Sequence, residues 1–237
     1  MRDDLQKIFD SIPDKFKIVE KEIKFEIQQE YIELSKRNNI DNLQEINISG
    51  LKTELFDSKT EPNKIKETIV MLGNIGSIES LKILQEYYEK SIDGLKPLIR
   101  LSIQENIMFL ENEFDDEPIG MILSGLGGKN NKLRYYFVII SQTEESFTKH
   151  QKRLIEIEYD LICKQYNTEI EKIDFKNDYA EIIILMPLNV ALDTVVMEGM
   201  KKCNEFGNFI VEFYYTTNVE IPNIEELQKI IKEELRG

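Results

Sequence analysis

Tryptophan is missing from this sequence, histidine occurs once, and only two cysteines are spread over 237 residues. One imidazole and two thiols argue against a multi-histidine metal centre or a Cys/His zinc cluster, so no metal and no cofactor is expected. Cys163 and Cys203 sit inside apolar helical patterns and read as reduced, buried thiols of a cytosolic protein. Long hydrophobic runs are also missing. The longest, Tyr135 to Ile140 and Ile182 to Leu188, are too short to span a bilayer. The opening residues, MRDDLQKIFDSIPDKF, have neither the apolar core nor the small-residue cleavage site of a signal peptide. The expected location is the cytoplasm, with no membrane partner.

Acidic charge is abundant, with 44 Asp and Glu against 30 Lys and Arg and a net charge of −14. An excess of this size reads first as a solubility feature, and it repels nucleic acid over most of the surface. Its distribution is uneven. Residues 1–61, 62–118 and 154–237 carry −4, −5 and −9, whereas residues 119–153 carry +4.

The first half has helical spacing. Phe16, Val19, Ile23, Ile27, Tyr31 and Leu34 predict a helix over about residues 14–38, followed by an Asn-rich loop or short broken helix to Gly50. Pro62 fits the first position of a further helix, with Ile65, Ile69 and Leu72 as its stripe. Gly73 to Gly76 ends it, and Ser77 caps the next, whose inner face is Leu81, Leu84 and Tyr88. A third helix runs from about Leu95 through Ile99, Ile103, Ile107 and Leu110. Ile65–Ile69 aligns with Leu95–Ile99 at an offset that suits stacked helical hairpins. The segment Lys64 to Leu84, with its Leu-Gly-x-x-Gly-Ser turn, resembles the short HEAT-like repeats of bacterial proteins. That resemblance covers about residues 62–112, and it implies a scaffold that binds a protein partner. The acidic run from Glu111 to Glu117 and then Pro118 close this half, which places the domain boundary at residue 118.

Residues 119–237 change period. Strand patterns at 133–141, 169–175, 179–186 and 209–215 alternate with helical patterns at 147–166 and 190–203, and a short helix over 225–235 follows. The order β-α-β-β-α-β is the ferredoxin-like arrangement, in which the first and third strands are central. The first and third are indeed the most continuously apolar, and the other two carry edge-like charges such as Lys172 and Glu212. The expected fold class is α+β: a helical, HEAT-like domain (1–118) followed by a ferredoxin-like domain (119–237). The chain as a whole resembles uncharacterised bacterial proteins with this pairing, a resemblance that carries no activity. One face of the sheet is left needing a cover: the N-terminal helices, a second copy in a homodimer, or a partner.

One stretch stands out chemically. Ser124 to Arg134 holds three glycines and three cations and no acid. Gly125, Gly127 and Gly128 offer backbone N–H groups for an anionic ligand, and Asn130, Lys129, Lys132 and Arg134 can add to them. A linker and a protein-contact loop are the competing readings. The run is not a Walker loop, because Asn130 follows Gly128-Lys129 and a strand comes next in place of a helix. Lys149, His150, Lys152 and Arg153 form a second basic cluster. His150 reads as an exposed helix residue, and the adjacent pairs Asp115/Asp116 and Glu144/Glu145 as solvated groups. Tyr135, Tyr136, Tyr214 and Tyr215 lie on strands, where an RNA-binding sheet would expose them. The basic Gly-aromatic signature of such sheets is missing, so nucleic acid is not expected. No evident nucleophile or base marks an enzyme. The leading expectation is a non-enzymatic interaction or regulatory protein. A sensor of a phosphate-bearing metabolite, an enzyme acting on an anionic substrate and an RNA- or ribosome-associated factor are the alternatives.

Overall fold

The computed structural model describes residues 15–37, 46–114, 117 and 119–235. The chain is mixed α+β, helical first and sheet-based second. It divides into two compact units, one of residues 1–19 and 23–123, the other of residues 20–22 and 124–237.

Among the described residues, the first unit begins with a short strand, β1 (Lys15–Ile18), and five helices follow: α1 (Phe25–Arg37), α2 (Ile48–Phe56), α3 (Pro62–Asn74), α4 (Ile78–Lys90) and α5 (Lys96–Asn112). Strand β2 (Ile119–Ile122) then pairs in parallel with β1. The helix predicted from about residue 14 therefore starts late. Phe16 and Ile18 alternate at period two, and β2, far along the chain, supplies the partner that makes them a strand. This pairing also carries the unit past Pro118, to Leu123. The predicted loop over 38–50 lies mostly outside the described residues, and α2 begins within its end.

The caps match their residues. Pro62 opens α3, and Ser77 and Ser80 form a reciprocal capping box on α4. The inner face of α4 centres on Ile83 and Leu84, with Leu81 only half-buried. On α5 the most buried positions are Leu98, Ile99, Leu101, Ser102 and Asn106, so its inward face is partly polar. Asn106 sits wholly inside and donates from Nδ2 to the Leu72 carbonyl at 2.9 Å and to Ser80 Oγ at 2.7 Å. The Tyr31 hydroxyl donates to Glu105. The amide orientation that satisfies both ends of Asn74 puts its nitrogen 2.6 Å from the same carboxylate.

The second unit is built on a five-stranded antiparallel sheet. Its strands are β3 (Gly128–Lys129), β4 (Lys132–Ser141), β5 (Glu169–Phe175), β6 (Tyr179–Met186) and β7 (Ile210–Thr217). Helix α6 (Lys149–Gln165) connects β4 to β5, α7 (Leu192–Asn204) connects β6 to β7, and α8 (Ile224–Ile230) follows β7. A π-helical turn, Ile231–Leu235, continues α8. The two most apolar strands, β4 and β6, are central: β6 lies between β4 and β5, and β7 pairs with the other side of β4.

Alternation divides the sheet residues between two cores. Phe137, Ile139, Ile182 and Ile184 pack with Ile155, Tyr159, Val195 and Val196 of the two crossover helices. Tyr136, Val138 and Ile140 face the opposite way and meet Leu227 and Ile231. The face left needing a cover thus receives one from the chain itself. Leu227 and Ile231 are four residues apart, so both reach down from one side of the helix.

Candidate functional site

The Gly-rich basic stretch folds as a β-hairpin. Gly128 pairs with Leu133 and Lys129 with Lys132, and Asn130 and Asn131 form the two-residue connection. Both asparagines have positive φ, 51° and 57°, as a type I′ turn requires. The hairpin lies along the side of β4 that β7 leaves uncovered, because β7 pairs only from Tyr136 onward.

Its backbone groups are engaged within the unit. Leu126 N–H donates to the Asn218 carbonyl at 3.0 Å, Gly127 N–H to Ser124 at 3.0 Å, and Gly128 N–H to the Glu20 carbonyl at 3.2 Å. Asn130 N–H donates to the Glu20 carboxylate at 3.2 Å. The glycines serve close approach. A Cβ on Gly125 would fall 1.8 Å from the Val219 carbonyl oxygen, and one on Gly127, at φ +67°, would fall 2.4 Å from that of Glu20.

The cations are engaged as well, with one exception. Lys132, itself buried, reaches Glu169 at 2.6 Å and Asn167 at 3.3 Å. Arg134 forms a two-pronged pair with Glu171 and donates from Nη1 to the Leu126 carbonyl at 2.7 Å. This pairing holds the Glu171 carboxyl below the usual carboxylate range and raises the guanidinium further. Lys129 is exposed and forms no ion pair among the described residues. The seven site residues predicted from the sequence therefore lie together, yet apart from the exposed Lys129 side chain the donors just described are bonded within the protein. Their geometry is that of a cross-linked sheet edge, with little left for an anion.

Asn204, Asn208 and Asn218, which flank the last strand, and the run Thr216-Thr217-Asn218 are further candidates for a polar pocket, and turn chemistry accounts for them as well. Asn204 brackets Ile210, donating to its carbonyl at 2.8 Å and accepting from its N–H at 2.9 Å. Thr216 Oγ1 donates to the Tyr136 carbonyl at 3.0 Å, and Thr217 Oγ1 accepts from Val219 N–H at 3.1 Å. Tyr136 is buried beneath Leu227 and Ile231, and burial pushes its hydroxyl above the usual tyrosine range. His150 is exposed in the first turn of α6. Cys163 and Cys203 are buried and unbridged, and burial pushes each thiol up to about 12. Glu144 and Glu145 are exposed, and Asp115 and Asp116 lie outside the described residues. Among the described residues, no group of His, Cys, Asp and Glu is placed to hold a metal ion, and no helix is long and apolar enough to cross a membrane.

No protein-family model matches the chain, and no curated protein matches it. Several solved structures are similar to part of it, two of them transposases. One is a putative transposase from Deinococcus radiodurans, at TM-score 0.39 and 12% identity, over 44% of this chain and 91% of that one. The other is a REP-associated tyrosine transposase bound to a REP hairpin, at TM-score 0.34 and 10% identity, over 44% of this chain and 70% of that one. Both likenesses are too slight to carry a functional assignment.

The sequence pattern did not single out the surface groups that remain unburied. On the first unit these include Ile78 (63% exposed), Phe109 (37%) and Phe114 (88%). Phe109, near the end of α5, lies against Gly76 in the α3–α4 turn, two residues before Ile78. On the second unit, two grooves flank α8. One, of about 1040 Å³, is bordered by the β5–β6 turn. The other, of about 500 Å³, is bordered by β7.

Proposed function

We propose that the chain is a non-enzymatic interaction protein that holds a protein partner on its helical unit. The observation that carries this reading is the exposure of Ile78, Phe109 and Phe114 around the α3–α4 turn and the end of α5. Each large apolar side chain gains about 1.5–3 kcal/mol on full burial, so a partner covering them recovers substantial free energy. The layering of the unit supports the same reading. Helix α3 packs on α5 and α2 on α4, each two elements apart, as in stacked HEAT-like hairpins. Residues 65–69 and 95–99, aligned in the sequence, open the two helices that pack together.

For the second unit, the strand order β7-β4-β6-β5 with both crossover helices on one face supports a ferredoxin-like arrangement. Its role in this reading is that of an accompanying regulatory or binding module. The engaged donors of residues 124–134 take support away from a metabolite contact there.

The test is co-purification from native cells at low and high salt, comparing wild type, Ile78→Asp/Phe114→Asp and Lys129→Ala. A partner held through apolar contact survives high salt with wild type and Lys129→Ala and is lost from the aspartate double variant. Loss from Lys129→Ala or in high salt, with the aspartate variant unaffected, refutes the assignment to the helical unit.

A further inference from the structure

The two outer strands of the sheet differ in how they are protected. Strand β5 carries Glu169, Glu171, Lys172 and Asp174 within seven residues and has a bulge between Ile170 and Lys172. Charges and bulges of this kind keep other chains from adding to an edge. Strand β7 carries one charge, Glu212, in eight residues. Among the described residues it pairs with β4 alone, and Phe213 on it is exposed.

Beside this less protected edge runs the groove of about 500 Å³ between β7 and the C-terminal helical segment. Its apolar lining comes from Tyr215, Val219, Pro222 and Ile230. Its charged lining is Glu220, Glu226, Glu233 and Glu234 against the single cation Lys229. Ile221 and Ile224, from the connection into α8 and its first turn, are exposed close by in the chain. An apolar channel between an edge strand and a helix, rimmed by carboxylates, has the chemistry to take an extended, basic peptide.

We propose that this groove docks a basic, extended segment of a protein partner. The segment adds to the edge of β7 through main-chain hydrogen bonds. Every second side chain of the segment faces the groove, where apolar ones meet Tyr215 and Val219 and Lys or Arg ones meet the four glutamates. Charge selects this occupant over the others. A second copy would bring the same acidic region, since residues 154–237 carry −9, and nucleic acid or an anionic membrane would be repelled likewise. This surface belongs to the second unit, so its test is independent of the aspartate variants in the helical unit.

The experiment uses the full chain and a fluorescent eight-residue peptide in which Lys and Val take turns at every second position, with Thr at the positions between. The controls are its Glu-for-Lys counterpart and a version with proline at two central positions. Anisotropy gives the affinity, and amide hydrogen exchange locates the contact. The variants are Glu220→Gln/Glu234→Gln and Val219→Ser. Glu226 is left intact, because its carboxylate accepts the Asn223 N–H that caps α8. The expected result is binding that weakens with salt, falls about tenfold in the double glutamine variant and protects residues 210–217 from exchange. The proline peptide is expected to lose most of that affinity, because it cannot supply the strand hydrogen bonds. Equal binding of the proline or acidic peptide, no protection of β7, or self-association through β7 in sedimentation would each overturn the proposal.

Discussion

Replacing Arg134 by alanine separates a structural role of the hairpin from a ligand-binding one. The substitution removes the two-pronged bond to Glu171 and the donor to the Leu126 carbonyl. The two charged side chains are only 22% and 26% exposed, so solvent screens them weakly. A hydrogen bond to a charged group contributes about 1.5–3 kcal/mol, and breaking a fully buried pair costs about 3–5 kcal/mol. Partial exposure and non-additivity place Arg134→Ala at about 2–4 kcal/mol. Lys129→Ala removes an exposed side chain and should cost within about 0.5 kcal/mol.

The cost of losing Arg134 depends on pH in a defined direction. The pair depresses the folded pKa of Glu171. Its stabilisation is therefore complete above the unfolded value of about 4.3 and is lost as pH falls through the lower folded value. The difference between wild type and Arg134→Ala should shrink in that acid window. Because the chain has two units, unfolding need not be a single step, so amide exchange of the β4 and β5 segments is the suitable assay. A double-mutant cycle with Glu171→Gln should return a coupling of about 0.5–3 kcal/mol. The reasoning fails if Arg134→Ala leaves β4 exchange unchanged, or if Lys129→Ala perturbs it equally.

Three further outcomes are expected. Burial raises the Glu105 carboxyl above its usual range, so the associated stability is complete below about pH 4.3 and declines as pH rises through the folded value. Glu105→Gln should remove that decline in a pH series of thermal melts, whereas Glu105→Ala leaves the Tyr31 hydroxyl without its acceptor, costing about 1–3 kcal/mol. Leu227→Ala should cost the second unit about 2–5 kcal/mol and speed amide exchange around Val138, because Leu227 is buried against that face. With both thiol pKa values pushed up to about 12, Cys163 and Cys203 should resist a disulfide reagent at pH 8 until the protein is unfolded, as a colour assay reports.

Regular elements with their own signals were legible in the sequence. Strand β5 occupies the range that its alternation predicts and β6 the range of its continuous apolar run, and Pro62, Ser77 and the Ile65–Leu72 stripe announce α3 and α4. Elements that depend on a distant partner were not. Strand β1 is four residues long and exists because β2 pairs with it from the far end of the helical stack. Ser102 and Asn106 break the apolar stripe of α5, and their burial follows from contacts with other helices. The two asparagines after Lys129 carried a hairpin signal, but the cations around them suggested an anion site. The partners that neutralise Lys132 and Arg134 are 37 residues away on β5, so only the folded sheet brings them together. The acids beside β7 come from 220–234, and a linear reading has no means of placing them along a strand edge.

The pairing of Leu227 and Ile231 with Tyr136, Val138 and Ile140 has a consequence for the order in which the second unit is made. Strand β4 leaves the ribosome early and finds the crossover helices as they follow it. Its other side chains wait until residue 231 has emerged. Throughout that interval the growing sheet presents aromatic and branched side chains to whatever is nearby. Folding of this unit in the cell is thus exposed to aggregation late in synthesis, and chaperone contact with these residues should end when α8 arrives. A fragment stopped shortly after β7 would hold that vulnerable state permanently.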